Sequence, residues 1–422
     1  MIIFLIAFVI LLVIGVPISI SIGASAVLGC VSLGYPLVVI GQKMVSGADS
    51  FLLIAVPLFI LAGNLMNAGK ITEKIFDTAK ELVGWIPGGL AHSNVVASII
   101  FAGMSGSAVA DAGGLGAIEM EAMTKNGYDE DFSGAVTAAS SVIGPIFPPS
   151  IPLIIYGSVA SVSVSELFMG GVIPGILMGV LLMVMIFFYA IKRGYERHPF
   201  RLMALLRQFI FSVPALITPL IILSGFTLGW FTPTEASSVA VVYSLLIALF
   251  LYRTLDWKAF KKCLLDSALS SANTLFIIGT STLFTYVMAM EGISKSMADI
   301  ILGISSNPYV ILLVINVLLL VLGMVMEPGA ILTLMLPVLL PIASGLGLNL
   351  VHFGVIVVLN LMIGQVTPPF GVCLFVISDV NKIKLEHLYR SILPFLIPLL
   401  LTLLLVTYVP GIVTWLPTVL LG

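Results

Sequence analysis

The sequence predicts an all-α polytopic membrane protein, and three observations carry that reading. Of 422 residues, 60% are hydrophobic and 9% charged, with a mean hydropathy of +1.21. A soluble core cannot hide so much apolar surface. Apolar runs of about twenty residues, long enough to cross a bilayer as helices, recur along the chain, without the every-second-residue alternation of a membrane-barrel strand. Two of these runs are interrupted alike: "GPIFPPS" at 144–150 and "GQVTPPF" at 364–370 both read Gly-x-x-x-Pro-Pro. A proline pair removes backbone donors and bends a helix.

Residues 1–14 lack a basic leader and a small-residue cleavage site, so they read as a retained first helix. With the rest of 1–50 they form N-terminal scaffold helices. The stretch "KITEKIFDTAKELVGW" (70–85) spaces apolar residues as a helix does and reads as an amphipathic helix on the cytoplasmic surface. Basic residues cluster at 70–80, 192–207, 253–262 and 382–390. One topology puts all four clusters in the cytoplasm, as the positive-inside rule expects. It leaves the N-terminus, 43–50, 229–233, 291–306 and the C-terminus outside. Trp85, Trp230, Trp257 and Trp415 fall at segment ends, where an amphipathic ring prefers the interface.

A repeat organises the chain. At a separation of 220 positions, Gly103-Met104 falls on Gly323-Met324, Gly144 on Gly364, Pro148-Pro149 on Pro368-Pro369, Glu166 on Glu386 and Pro174 on Pro394. A set of matches over more than seventy residues marks a duplicated unit. The first unit, 51–192, runs from outside to inside. Residues 193–269 supply linking scaffold helices at 210–229 and 234–252, so the second unit, 270–422, runs the opposite way. Inverted units with broken helices are the pattern of secondary transporters. Each unit has two irregular regions, of which one should be a re-entrant hairpin tip and the other a break in a crossing helix. Hydropathy alone leaves the assignment open. Charge favours hairpins at about 92–126 and 307–345 and broken helices at about 132–163 and 351–379; only Lys43 and Lys295 of the 18 basic residues then lie outside.

Backbone bared at membrane depth costs several kcal/mol per unpaired group, which is tolerable where the groups bind something. Free carbonyls suit a hard cation such as Na⁺, and helix N-termini suit an anion. Small residues at Gly103, Ser105, Gly106, Ser107, Gly113 and Gly114 let backbone approach a ligand, while Ser150 and Thr367 add hydroxyls. Asp111 and Glu327 are acids at membrane depth; each is open to a cation, a proton or a capping role. Asn64, Asn67, Asn316 and Asn360 read as interhelical glue.

Other classes are excluded. The stretch "GMSGS" lacks the last glycine of a nucleophile elbow, the four histidines have no metal spacing, and no Walker A sequence occurs. Cys30, Cys263 and Cys373 form no disulfide framework. A net charge of −2 favours no nucleic-acid partner. A membrane scaffold without turnover gains nothing from midplane breaks.

The set "GMSGSAVADAGGLGAIEMEAM", "GPIFPPSIPLIIYG" and "GQVTPPFGVCLFV" resembles the large membrane subunit (M subunit, DctM-like) of tripartite ATP-independent periplasmic (TRAP) transporters, over nearly the whole chain. The resemblance implies a fold like that of divalent-anion sodium symporters, in which a transport domain of hairpins and broken helices moves as an elevator in the bacterial inner membrane. It implies a small four-helix membrane subunit, expected as a separate chain, and a periplasmic binding protein that delivers a sialic acid or C4-dicarboxylate type of organic acid. It implies no cofactor, with sodium as coupling ion. Carried over, one sodium site would use Gly103, Ser105, Ser107, Gly144, Phe147 and Pro148, and its counterpart Gly323, Met326, Gly364, Thr367 and Pro368. Substrate would lie near Ser105, Ser107, Asp111, Pro149, Ser150 and Thr367. A binding-protein-independent sodium/dicarboxylate symporter is the alternative.

Overall fold

The computed structural model describes residues 3–421 apart from 196, 198 and 306, and at 103–105 and 226–227 the backbone alone. Every regular element among them is helical. Among the described residues, eight helices are long and apolar enough to cross a membrane.

Three helices open the chain: α1 (Ile3–Val13), α2 (Ile18–Ser32) and α3 (Leu37–Ala48). Their apolar exposed faces, such as Ile6, Ile10 and Val13 on α1, suit contact with lipid. The first unit then runs α4 (Ala55–Ala68), α5 (Ile71–Val83), α6 (Gly89–Ser105), α7 (Ala108–Gly113), α8 (Leu115–Lys125), α9 (Glu130–Ser141), α10 (Ile151–Ala160) and α11 (Val164–Arg193). Helices α12 (Leu202–Thr227) and α13 (Pro233–Leu246) link it to the second. That unit runs α14 (Trp257–Met290), α15 (Ile293–Ile304), α16 (Pro308–Val325), α17 (Pro328–Gly345), α18 (Leu350–Gly364), α19 (Val372–Asn381) and α20 (Leu385–Tyr408), followed by α21 (Gly411–Leu421).

The same series therefore occurs twice: a long helix, an amphipathic helix, a segment of consecutive helices, a helix broken at Pro-Pro, and a long helix with an internal proline. Both proline pairs, Pro148-Pro149 and Pro368-Pro369, have a cis peptide bond. The breaks are bounded locally. Ser150 caps α10, accepting from the Leu153 amide at 3.2 Å, with Pro152 in the first turn where its missing N–H costs nothing. In the second unit α18 runs to Gly364, and Gln365 follows it as the C-cap, its amide bonded to the Leu361 carbonyl at 3.2 Å. On the far side Gly371 takes φ +62 to start α19, a conformation glycine adopts without strain.

Two readings need adjusting. The stretch at 70–85 forms α5, but it is more than a surface helix. Ile71, Ile75, Phe76 and Ala79 are buried against α6 and α12, and the Thr78 hydroxyl donates to Ser212 of α12 at 2.6 Å. An amphipathic stripe does not say whether lipid or protein covers it. The boundary placed at 270 falls inside α14, one continuous helix of 34 residues. Asp256 caps its start through the Ala259 amide, and no glycine or proline interrupts it before Gly279.

Candidate functional site

Helix ends from both units converge on one cavity of about 540 Å³. One wall comes from the helix-pair tips and the breaks: Gly106, Ser107, Pro145, Ile151, Pro152, Glu327, Pro328, Gly329, Gln365 and Val372. The opposite wall comes from α4 and α14, with Gly63, Asn64, Asn67, Ser270, Asn273 and Thr274. The N-termini of α10, α17 and α19 thus open onto the cavity, each turning the positive end of a helix dipole toward it. No Lys or Arg lines it among the described residues. Its polar groups are carboxamides, hydroxyls, the Glu327 carboxylate and helix ends.

Each tip lies against the break of its own unit, by different contacts. In the first, Gly106 has φ +59, and a Cβ there would stand 3.0 Å from the Pro149 carbonyl oxygen and 3.2 Å from the Ile151 nitrogen. Gly144 packs against the Asp111 carboxylate, which a Cβ would strike. In the second, backbone meets backbone. A Cβ at Gly364 would lie 2.6–2.7 Å from the Gly323 backbone, and the Gly371 amide donates to the Met324 carbonyl at 3.3 Å.

The residues singled out from sequence fall into distinct settings. Ser107 lines the cavity and caps α7, accepting from the Ala110 amide. Glu327 is exposed at the cavity wall, at the N-cap position of α17. Asp111 is buried behind the wall, in the first turn of α7, so it is not that helix's cap. Ser150 is fully buried; its hydroxyl donates to the Pro145 carbonyl while capping α10. Thr367 donates to the Ile363 carbonyl at 2.7 Å. Met326 is buried, its amide bonded to the Leu322 carbonyl. Phe147 turns its ring toward Gly175 of α11. Pro148, Pro149 and Pro368 belong to the two cis pairs, with the Pro149 oxygen facing Gly106. At Gly103 and Ser105 only the backbone is described.

The asparagines divide. Asn316 and Asn360 are glue: Asn360 donates to the Asn316 side-chain oxygen at 3.0 Å and Asn316 to Thr407 at 3.0 Å. Asn64 ties α4 to Ser267 of α14 at 2.8 Å, yet Asn64 and Asn67 also face the cavity. Sequence reading missed Ser270, Asn273, Thr274 and Gln365. Only Gln365, inside the quoted "GQVTPP", carried a signal. It missed a second buried acid as well, Glu119 of α8, which is 1% exposed.

Duplicated broken helices around a shared cavity define a polytopic helical transporter rather than an enzyme. The description "Tripartite ATP-independent periplasmic transporter, DctM component" matches residues 5–412, and the chain belongs to this family: it is the large permease subunit of a TRAP transporter, a multi-pass protein of the bacterial inner membrane. It is 46% identical over 388 residues to the sialic acid TRAP transporter large permease protein SiaM of Vibrio cholerae, covering 90% of each chain. It is 45% identical over 382 residues to the sialic acid TRAP transporter permease protein SiaT of Haemophilus influenzae, where it spans 62% of the longer protein. Identity to the C4-dicarboxylate large permease DctM of Vibrio cholerae is 36% over 435 residues, covering 98% of this chain and 96% of that one. The YdaH transporter of Alcanivorax borkumensis shares the fold, with a TM-score of 0.64 at 13% identity over 88% of this chain and 87% of that one.

Proposed function

We propose that this subunit imports an organic acid of the sialic acid or C4-dicarboxylate class by sodium symport. A periplasmic binding protein delivers the solute, and a separate small membrane subunit supports the assembly. One observation carries the reading: both tip-and-break seams adjoin a single cavity whose far wall is built from α4 and α14. Tips and breaks form one body and α4 with α14 the other, an arrangement that suits elevator movement. The backbone oxygens at each seam suit sodium. Gly103, Ser105, Ser107, Gly144, Phe147 and Pro148 serve the first site, and Gly323, Met326, Gly364, Thr367 and Pro368 the second. The N-termini of α10 and α17, with Ser107, face the acid group of the solute.

The test is uptake into liposomes holding this chain with its small subunit, with loaded binding protein outside. Uptake that rises with an inward sodium gradient, and collapses when choline replaces sodium, is the expected result. Uptake indifferent to the gradient overturns the coupling. Uptake by this chain without a binding protein would favour the independent symporter.

A further inference from the structure

Six buried polar residues away from the cavity repeat one hydrogen-bond pattern in both units. In the first, the Ser140 hydroxyl of α9 donates to Asn94 Oδ1 of α6 at 2.6 Å, and Asn94 Nδ2 donates to the Thr137 hydroxyl of α9 at 2.8 Å. In the second, Asn360 Nδ2 of α18 donates to Asn316 Oδ1 of α16 at 3.0 Å, and Asn316 Nδ2 donates to the Thr407 hydroxyl of α20 at 3.0 Å. Each pattern joins the helix leading to a tip with the first half of a broken helix. All six residues are buried, and none lines the cavity.

The placement repeats too. Ser140 and Asn360 are 220 positions apart, as Gly144 and Gly364 are, and each stands four residues, about one turn, before its break glycine. Asn94 and Asn316 are 222 apart, nine and seven residues before Gly103 and Gly323. Duplication kept the bond while the donor changed from hydroxyl to carboxamide and the threonine moved from α9 to α20.

A single interhelical hydrogen bond adds little net stability in a membrane, because an unpaired group finds other partners. Its leverage is on register. From Val310 to Val325, Asn316 is the one polar side chain on α16, and from Phe353 to Gly364, Asn360 is the one on α18. Apolar contacts are non-directional and set the register of such a pair loosely, whereas a slip of one turn strands a buried carboxamide. A single buried asparagine fixes register in coiled coils for that reason. Among the described residues the Asn360 side chain bonds only to Asn316, at its Oδ1 and its main-chain carbonyl. One turn further along, Gly364 meets the Gly323 backbone, so the register set at Asn360 decides whether that seam closes.

We infer that Asn94 with Ser140, and Asn316 with Asn360, are positioning pairs that hold each tip in register with its own break and so set the seam's affinity for its ion. Without the pair the seam is closed for only part of the time. Ion affinity falls by that fraction, and saturating ion closes the seam again and restores the full rate. The ion consequence rests on the sodium reading above. The register role does not.

The double variant Asn316→Leu/Asn360→Leu tests this, removing both partners with little change of volume, which limits the loss of stability. One readout needs no ion. Val372 borders the cavity, and the neighbouring Gly371 amide donates across the seam to the Met324 carbonyl at 3.3 Å. Hydrogen exchange of that amide in choline chloride reads seam closure, and it should quicken by about tenfold, with exchange along α11 and the melting temperature little changed. The other readout is uptake into liposomes with the small subunit and loaded binding protein. The sodium concentration at half-maximal uptake should rise by about tenfold, with the rate at saturating sodium retained. Asn94→Leu/Ser140→Ala should shift the sodium requirement in the same direction, and no shift overturns the inference for that unit. Unchanged exchange at Gly371, or exchange that quickens equally along α11, overturns the register role. A sodium requirement that stays put in the double variant, where the wild type depends on sodium, overturns the link to the ion. Wild-type uptake indifferent to sodium, with exchange as described, fells the sodium reading and leaves the register role standing. Should the double variant not fold, Asn360→Ala replaces it with the same outcomes, since Asn316 then keeps its bond to Thr407.

Discussion

In the first unit the tip reaches its break through a left-handed glycine and a buried carboxylate; in the second it does so by bare backbone. Gly106 lies against the Pro149 carbonyl and Asp111 against Gly144, whereas Gly364 lies on Gly323 with no side chain between them. The acids differ in the same sense. Asp111 is buried behind the cavity wall, and Glu327, its nearest counterpart, is exposed on it. Duplication preserved the broken-helix geometry while the chemistry at the two seams separated. A seam of backbone alone has one way to hold a cation. A seam backed by Asp111 adds a carboxyl group to the backbone.

Substitutions can break this contrast. Gly364→Leu should have the largest effect, because the intruding atoms meet backbone that cannot turn aside. Sodium-driven uptake in liposomes should be abolished while membrane insertion, read by expression and detergent extraction, persists. Even Gly364→Ala should cost about 1–3 kcal/mol of stability from overpacking, seen as a lowered melting temperature. Gly106→Ala comes next: the αL backbone at φ +59 costs a side chain about 1–2 kcal/mol, and the Pro149 carbonyl crowds it as well.

Gly144→Ala should be milder, because its obstacle is a side chain. It also sharpens the comparison. If the clash is with Asp111, the double variant Gly144→Ala/Asp111→Ala should be more stable than the two single losses predict, by about 0.5–3 kcal/mol in a thermal-melting cycle. Additive losses would show that Asp111 is not the partner. Gly329→Ala is the smallest expected effect. Its Cβ would meet only Ile155 at 3.5 Å, so stability should change by about 0.5 kcal/mol or less, with uptake retained.

How much of this was legible depends on where the signal lay. The helical class and the breaks could be read because proline pairs within apolar runs have few other meanings. The cavity's far wall could not. Asn64 and Asn67 stand about 200 positions from Ser270, Asn273 and Thr274, and polar residues on apolar helices look alike whether they bind a neighbouring helix or a solute. Asn316 and Asn64 had the same sequence character, yet one is sealed against Thr407 and the other borders the cavity. Glu119 was hidden by its company: in "IEMEAM" it reads like Glu121, which is solvent-exposed two residues on. The continuity of α14 past 270 escaped because a repeat boundary marks where duplication starts, not where a helix must stop.

The central claim is that the two seams bind sodium, and it has one direct measurement: thermal melting of the purified protein in sodium chloride against choline chloride at equal ionic strength. A ligand that binds only the folded state adds about 2.7 kcal/mol at a hundredfold excess over its dissociation constant. The account predicts a higher melting temperature in sodium for the wild type, and a smaller sodium-specific rise in Gly364→Ala and in Gly144→Ala. Identical melting in the two salts, or a full sodium response in both variants, would contradict it.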